Sequence, residues 1–162
     1  MRRLGGFGLN VYNPAAAEEW AELGLCGAVL SFELSFAQMQ PLLGGRLPVG
    51  LFVYGRQPLM LCRVCPRKSA VGSCTGCADG GGLIDRKGIR FPVQCAGGCT
   101  ELLNSVRLDL AAQAARLPRT DFLYFHFTDE RPADIRQVLD RYARGEAAAE
   151  PTTRGRYRQG VE

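Results

Sequence analysis

An α/β fold built on parallel strands, with a cysteine-rich insert that contains a β-hairpin, is predicted by three features of this 162-residue chain. Short apolar runs begin near residues 7, 27 and 48 with a helical pattern in each gap, which is a repeated βα unit and hence a parallel sheet. Six of the seven cysteines then fall between Leu61 and Cys99. After them the pattern resumes with one more strand and helix.

In order, Phe7–Tyr12 reads as a strand followed by the turn pair Asn13-Pro14. Pro14 suits a first helical position, and the helix runs Ala15–Leu23 to Gly24, with Trp20 among its core positions. Gly27–Phe32 is nearly all apolar, as a strand buried on both faces must be. Ser35 is the N-cap of a helix from Phe36 to about Leu43, ended by Gly44-Gly45, and Pro48–Tyr54 is the third strand. Beyond the cysteines, Leu108–Leu117 carries helical spacing with Asn104 or Ser105 near its start. Asp121–Phe127 is the fourth strand, and Pro132 opens a last helix to Arg144, closed by Gly145. Residues from Ala147 to Glu162 have no period and form a tail, basic at Arg154, Arg156 and Arg158.

Four parallel strands fit either half a βα barrel or a small doubly wound sheet. No strand is followed by Gly-x-Gly-x-x-Gly and there is no P-loop lysine motif, so nucleotide binding has no support. Half a barrel leaves strand edges open. The expectation is a fragment of a longer ancestral chain, or a subunit completed by a companion chain carrying the earlier strands or by a second copy.

Bulk properties constrain partners and compartment. Net charge is +4, which permits RNA without requiring it. No signal-type h-region follows Arg2 and Arg3, and no apolar run reaches membrane-spanning length, so a cytoplasmic protein without a membrane partner is expected. In that compartment thiols stay reduced, and clustered cysteines point to metal rather than disulfides.

Cys62, Cys65, Cys74 and Cys77 read C-x2-C-x8-C-x2-C, a spacing that lets thiolates converge on one soft centre. Leu83–Val93 reads as a β-hairpin turning at Asp85–Gly88, with Pro92 marking its second strand as an edge. Cys95 and Cys99 follow. Six thiols exceed the four that one zinc or one 4Fe–4S cluster takes, and spacing alone weighs the two equally. Cys26, alone near the second strand, is expected to be a buried free thiol.

In parallel βα folds ligands meet the C-terminal strand ends. Those ends hold Asn10 and Asn13, Ser31 and Glu33, Tyr54 and Arg56, and His126 and Thr128, and the insert leaves the third strand there. Glu33, Tyr54, Arg56 and His126 are the candidate catalytic residues. His126 is the only histidine and sits on an apolar strand, and neither a Ser/His/Asp set nor HExxH is visible.

Several short motifs occur together in a known order: Tyr54–Met60 (YGRQPLM), Cys65-Pro66, Asp85–Gly88 (DRKG), Phe91–Val93 (FPV), Glu101–Ser105 (ELLNS) and Thr153–Glu162 (TRGRYRQGVE). With Phe7–Asn13 and Leu30–Ser35 they resemble peptidase family U32, the collagenase-like proteases, over nearly the whole chain. The resemblance implies a TIM-type barrel, of which this chain holds the later strands. It implies the divisions 1–57 for partial-barrel βα units, 58–105 for the cysteine insert, 106–146 for the last βα unit and 147–162 for the tail.

The family is named for protease activity. Several members are iron–sulfur proteins in oxygen-independent hydroxylation of RNA bases or quinone precursors, some as paired subunits. The resemblance therefore implies a 4Fe–4S cluster ahead of zinc, held by Cys65, Cys74, Cys77 and Cys95, with Cys62 and Cys99 less firmly placed. The expected function is part of an oxygen-independent hydroxylation or modification system acting on RNA or a small aromatic substrate. Its rivals are a metal-dependent or collagenase-like protease, and a non-catalytic fragment or partner subunit with a structural zinc site. The chain departs from the family signature at three positions: Gly50 where it has glutamate, Tyr54 where it commonly has histidine, and Pro58 where it has a first cysteine. Phe52, Gly55 and Cys65 are kept.

Overall fold

A computed structural model describes residues 1–74, 81–96 and 98–158. It is mixed α/β, with helices and, among the described residues, two four-stranded sheets. The chain divides into two compact units, Met1–Gly55 with Leu108–Glu162, and Arg56–Arg107. No helix of the described residues is long and apolar enough to cross a membrane.

In the first unit, α1 (Pro14–Glu22) starts where Asn13 Oδ1 accepts the Ala16 N–H at 2.9 Å, and Gly24, at φ +84°, follows its end. Trp20 is half-buried against the core. β1 (Ala28–Val29) pairs parallel with β2 (Val49–Gly55), and β2 pairs parallel with β8 (Phe122–His126). The segment before α1 adds parallel bridges on the other side of β1, Gly5 to Ala28 and Val11 to Leu30. Segments consecutive in this unit are thus neighbours in space.

Beside these lies β7 (Leu108–Asp109), antiparallel to β2. Gly50 is paired with both Val29 and Phe122, and Tyr54 with both Asp109 and Phe125. So β1 and β7 share one edge of β2, and β8 holds the other. A register shift between Phe52 and Tyr54 turns their side chains to opposite faces. Phe52 meets the rings of Phe7, Phe32, Tyr124 and His126, while Tyr54 meets Phe125 and Phe127.

Helix α4 (Pro132–Arg144) runs from Pro132 at its first turn to Gly145 in the left-handed region. It buries Val138 and Tyr142, and the Tyr142 ring stands edge-on to Phe125 at 4.7 Å. The Tyr142 hydroxyl donates to the Val53 carbonyl and accepts the Leu110 N–H at 2.8 Å, which ties helix to sheet.

Three expectations for this unit are corrected. Phe7–Tyr12 is not a strand: Phe7–Leu9 is a 3₁₀ turn and Asn10 is left-handed at φ +49°, which leaves only isolated bridges. The helix expected to Leu43 is an α-helix only over α2 (Phe36–Met39) and continues as a 3₁₀ turn, Gln40–Leu42, because Pro41 cannot donate an α-helical hydrogen bond. Leu108–Leu117 is not an α-helix. Leu108 and Asp109 are drawn into the sheet, the Asp109 carboxylate accepts the Ala111 N–H at 2.9 Å, and Ala111–Arg116 forms a 3₁₀ turn.

The aperiodic tail is docked. Thr153 bridges Leu108, and Tyr157, 1% exposed, donates to the Phe52 carbonyl and stacks on Phe36 at 5.1 Å.

The second unit is an antiparallel sheet in the order β3 (Pro58–Cys62), β6 (Cys99–Leu103), β5 (Arg90–Ala96), β4 (Gly82–Ile84). The hairpin β4–β5 turns where Asp85 Oδ1 accepts the N–H groups of Lys87 (2.8 Å) and Ile89 (2.9 Å). Its second strand is not an edge, contrary to the reading of Pro92: β5 lies between β4 and β6. The Val93 N–H donates to Gly81 on the β4 side, so the Pro92 nitrogen faces the β6 side, where pairing begins only at Val93.

Candidate metal centre

Of the cysteines, Cys62, Cys65, Cys74, Cys95 and Cys99 belong to the second unit as free thiols, and Cys77 lies outside the described residues. Cys65 is the N-cap of α3 (Pro66–Val71), and its sulfur accepts the Lys68 N–H at 3.5 Å. That bond lowers its pKa below the ordinary thiol value, desolvation opposes it, and Arg67, Thr100 and Cys95 add smaller lowering effects. Thr100, 4% exposed, has its hydroxyl 3.8 Å from the Cys95 sulfur.

The sheet register extends this group. Thr100 on β6 is paired with Cys62 on β3 and with Cys95 on β5. Directly paired residues of antiparallel strands present side chains to the same face. Cys62, Thr100 and Cys95 therefore form one row across the sheet. Cys99, next to Thr100 in β6 and paired with Ala96, presents its side chain to the other face. Cys74 is exposed.

Among the described residues no three Cys, His, Asp or Glu side chains already stand close enough to hold an ion. The register puts Cys62 and Cys95 on one face of the sheet. The donor chemistry, thiols with one shared hydroxyl neighbour, fits zinc or an iron–sulfur cluster. The packing fits as well. Among the described residues, only Val93 and Leu103 of this unit are buried apolar side chains. A unit with so little apolar core is of the kind whose folding a bound metal would support.

The remaining candidates take other positions. Arg56 Nη1 donates to the carbonyls of Asn104 (2.9 Å) and Ser105 (2.6 Å), closing the second unit at its chain entry and exit. Tyr54, 5% exposed, donates its hydroxyl to Glu130 at 3.1 Å. His126 Nδ1 is 3.3 Å from the Tyr124 hydroxyl, with its ring edge-on to Phe7. By the register shift in β2, His126 and Tyr54 face opposite sides of their sheet. Glu33 is exposed, and it is Gln38, not Glu33, that completes the capping box with Ser35. Cys26 is half-buried rather than buried and belongs to the first unit.

Two glycines of β2 have physical reasons in their surroundings. Gly55 has φ +128°, and a Cβ there would stand 2.3 Å from the His126 carbonyl oxygen. At Gly50 a Cβ would meet the Phe122 ring.

Thr100, its own strand β6 and the neighbouring β3 escaped the sequence reading. The signal was the position of Thr100 directly after Cys99, in alternation with Glu101 and Leu102 over a stretch too short to declare a strand. Comparison with protein-family models, with curated proteins and with solved structures finds no match to this chain.

Proposed function

We propose that the chain is an iron–sulfur protein of the collagenase-like protease family, corresponding to the later part of a TIM-type barrel with its cysteine region. In this reading it serves an oxygen-independent hydroxylation or modification system acting on RNA or a small aromatic substrate. The observation that carries the proposal is the row of Cys62, Thr100 and Cys95 across the sheet of a unit that buries few apolar side chains. The neighbour order of the parallel segments supports a barrel portion, since barrel strands pair with their successors in the chain.

Cys65, Cys74, Cys77 and Cys95 are the proposed ligands. When bound, a 4Fe–4S cluster supplies one-electron transfer or a site for the oxygen donor. The chain's own contribution is orientation. Arg56 holds the loop carbonyls at the base of the cysteine unit. In the first unit the half-buried rings of Phe7, Phe32, Tyr124 and His126 offer a wall on which a planar substrate can stack. Purified without oxygen, the protein is expected to be brown, with about four iron and four sulfide per chain. A colourless protein with stoichiometric zinc would sink the cluster.

A second reading, a partner subunit with a structural zinc site, is favoured by one observation. Phe122 fills the place of the signature glutamate at Gly50. A chain soluble only with a companion carrying the earlier strands, and colourless, would establish it. Peptide cleavage surviving both chelation and Cys65→Ser would instead favour the protease.

A further inference from the structure

The two units differ in charge. Arg56–Arg107 holds eight lysines and arginines against three acidic residues, a net charge of +5. The rest of the chain holds twelve against thirteen. Both lysines of the protein, Lys68 and Lys87, fall in the cysteine unit. The modest charge of the whole chain thus combines a nearly neutral first unit with a strongly basic second one. Such asymmetry between parts of one chain points to a polyanionic partner.

Part of that charge is held on a projecting arm. β4 is the outermost strand, and β5 pairs with β6 only from Val93 onward. Gly82–Ile84 and Arg90–Pro92 therefore form a two-stranded arm that runs beyond the rest of their sheet. Its turn is closed by several bonds. The Asp85 N–H donates to the Ile89 carbonyl at 2.9 Å, the Gly88 N–H donates to the Asp85 carbonyl at 3.1 Å, and the Asp85 carboxylate accepts the Lys87 and Ile89 N–H groups. Gly88 supplies the left-handed φ of +78° that the turn requires.

Arg86, Lys87 and Arg90 are exposed on this arm, and none makes an ion pair among the described residues. In the first unit Arg131, Arg141 and Arg144 each have a carboxylate partner. The arm's own acid, Asp85, is turned onto backbone N–H groups instead. Ile84, 71% exposed, is paired with Arg90, so an apolar and a cationic side chain share one face.

We infer that this arm is an RNA-docking surface: Arg86, Lys87 and Arg90 take backbone phosphates, and Ile84 lies against a sugar or base face. The inference rests on the reading above in taking RNA as the nucleic acid, and it needs no metal. Guanidinium forks match phosphate oxygens in pairs, and an ammonium adds a point charge. Three paired positions are too few to follow a groove, and residues 82–92 include no Asn or Gln to read base edges. The contacts are therefore to backbone and shape. An anionic bilayer fits less well, because the arm has neither Trp nor Tyr to sit among headgroups.

The test is binding of a fluorescein-labelled RNA stem-loop to the full-length chain, purified without added metal, over a salt series. Each phosphate contact contributes about −0.7 to −0.9 to the slope of log K against log salt. Arg86→Gln, Lys87→Gln and Arg90→Gln combined should flatten that slope by about 2 and weaken binding at low salt by about tenfold or more. Arg154→Gln, Arg156→Gln and Arg158→Gln combined remove the same charge from the first unit and should leave the slope within about 0.5. Equal losses in the two variants would mean that overall charge alone is read, and would overturn the inference. So would binding to duplex DNA of the same sequence as tight as to RNA, or binding to phosphatidylserine vesicles and not to RNA.

A footprint on the unmutated chain covers a variant that fails to fold. Acetylation of primary amines, read by mass spectrometry, should slow severalfold at Lys87 when RNA is saturating and stay unchanged at the Met1 amino group. Undiminished acetylation of Lys87 overturns the inference. A colourless protein that binds RNA through the arm would sink the cluster and keep the arm. A brown protein that ignores RNA would do the reverse.

Discussion

The ring of Phe122 lies flat against Gly50, so close that a Cβ on residue 50 would stand 2.1 Å from its Cε2 and 2.5 Å from two further ring atoms. The same ring would meet a Cβ on Gly27 at 3.3 Å. One aromatic side chain on β8 thus fills the space that two residues on β1's flank and β2 leave open.

Gly50→Ala is expected to destabilise the first unit by about 1–3 kcal/mol, the usual cost of overpacking. In a Phe122→Ala background the same substitution should cost little, because the ring is what it collides with. A double-mutant cycle in urea measures the coupling, and additive effects would contradict the contact. A glutamate at residue 50 should likewise be tolerated only when Phe122 is made small.

Tyr142→Phe removes one hydroxyl that serves two backbone groups, the Val53 carbonyl and the Leu110 N–H. Both are buried, so the loss should cost about 1–3 kcal/mol. Exchange of the Leu110 amide should accelerate in the variant. An unchanged denaturation midpoint would show that the hydroxyl carries nothing.

Stability should also fall at alkaline pH. Burial raises the phenol pKa of Tyr142 and of Tyr157 well above the ordinary value, with Asp109 adding to the effect at Tyr142. In the unfolded chain both phenols release protons near pH 10. Above that pH the unfolded state binds fewer protons than the folded one. The contribution is therefore complete below about pH 10 and lost as pH rises through the raised folded values. Tyr157→Phe, which ionises in neither state, should be less stable at neutral pH and show a shallower alkaline decline. Denaturation midpoints collected from about pH 8 to 11 check this.

If the second unit folds around a metal, removing that metal should melt this unit and spare the first. The amides of β5 and β6, including Val93 and Leu103, should lose hydrogen-exchange protection when the loaded protein is treated with a chelator. Those of β2 and β8 should keep theirs, backed by the apolar core of the first unit. Equal protection in both units before and after treatment would remove the packing argument for a metal.

Strong local signals were legible in the chain itself. Pro132 and Gly145 bracket α4, Asn13-Pro14 starts α1, and the apolar runs of β2 and β8 lie within a residue or two of their structural bounds. Elements decided by distant partners were not. Leu108–Arg116 carries helical spacing, yet β2 and the Thr153 bridge claim its first two residues. Tyr157 sits in an aperiodic, arginine-rich segment, and only the Phe52 carbonyl and the Phe36 ring explain its burial. At the candidate centre, spacing identified the thiols as a group. Which of them share a face depends on register across three strands, and two of those strands, Pro58–Cys62 and Cys99–Leu103, are too short for alternation to reveal them.

The point at which the cysteine unit joins the chain has an architectural consequence. Gly55, the last residue of β2, is paired with Leu108, the first of β7, and these two strands run antiparallel. The whole of Arg56–Arg107 therefore occupies the place of a hairpin turn. A two-residue link such as Asn-Gly could close the same pair of strands. The cysteine unit is in this sense a cassette: a scaffold of this kind can gain it, shed it or exchange it for another without cutting any ladder of its own.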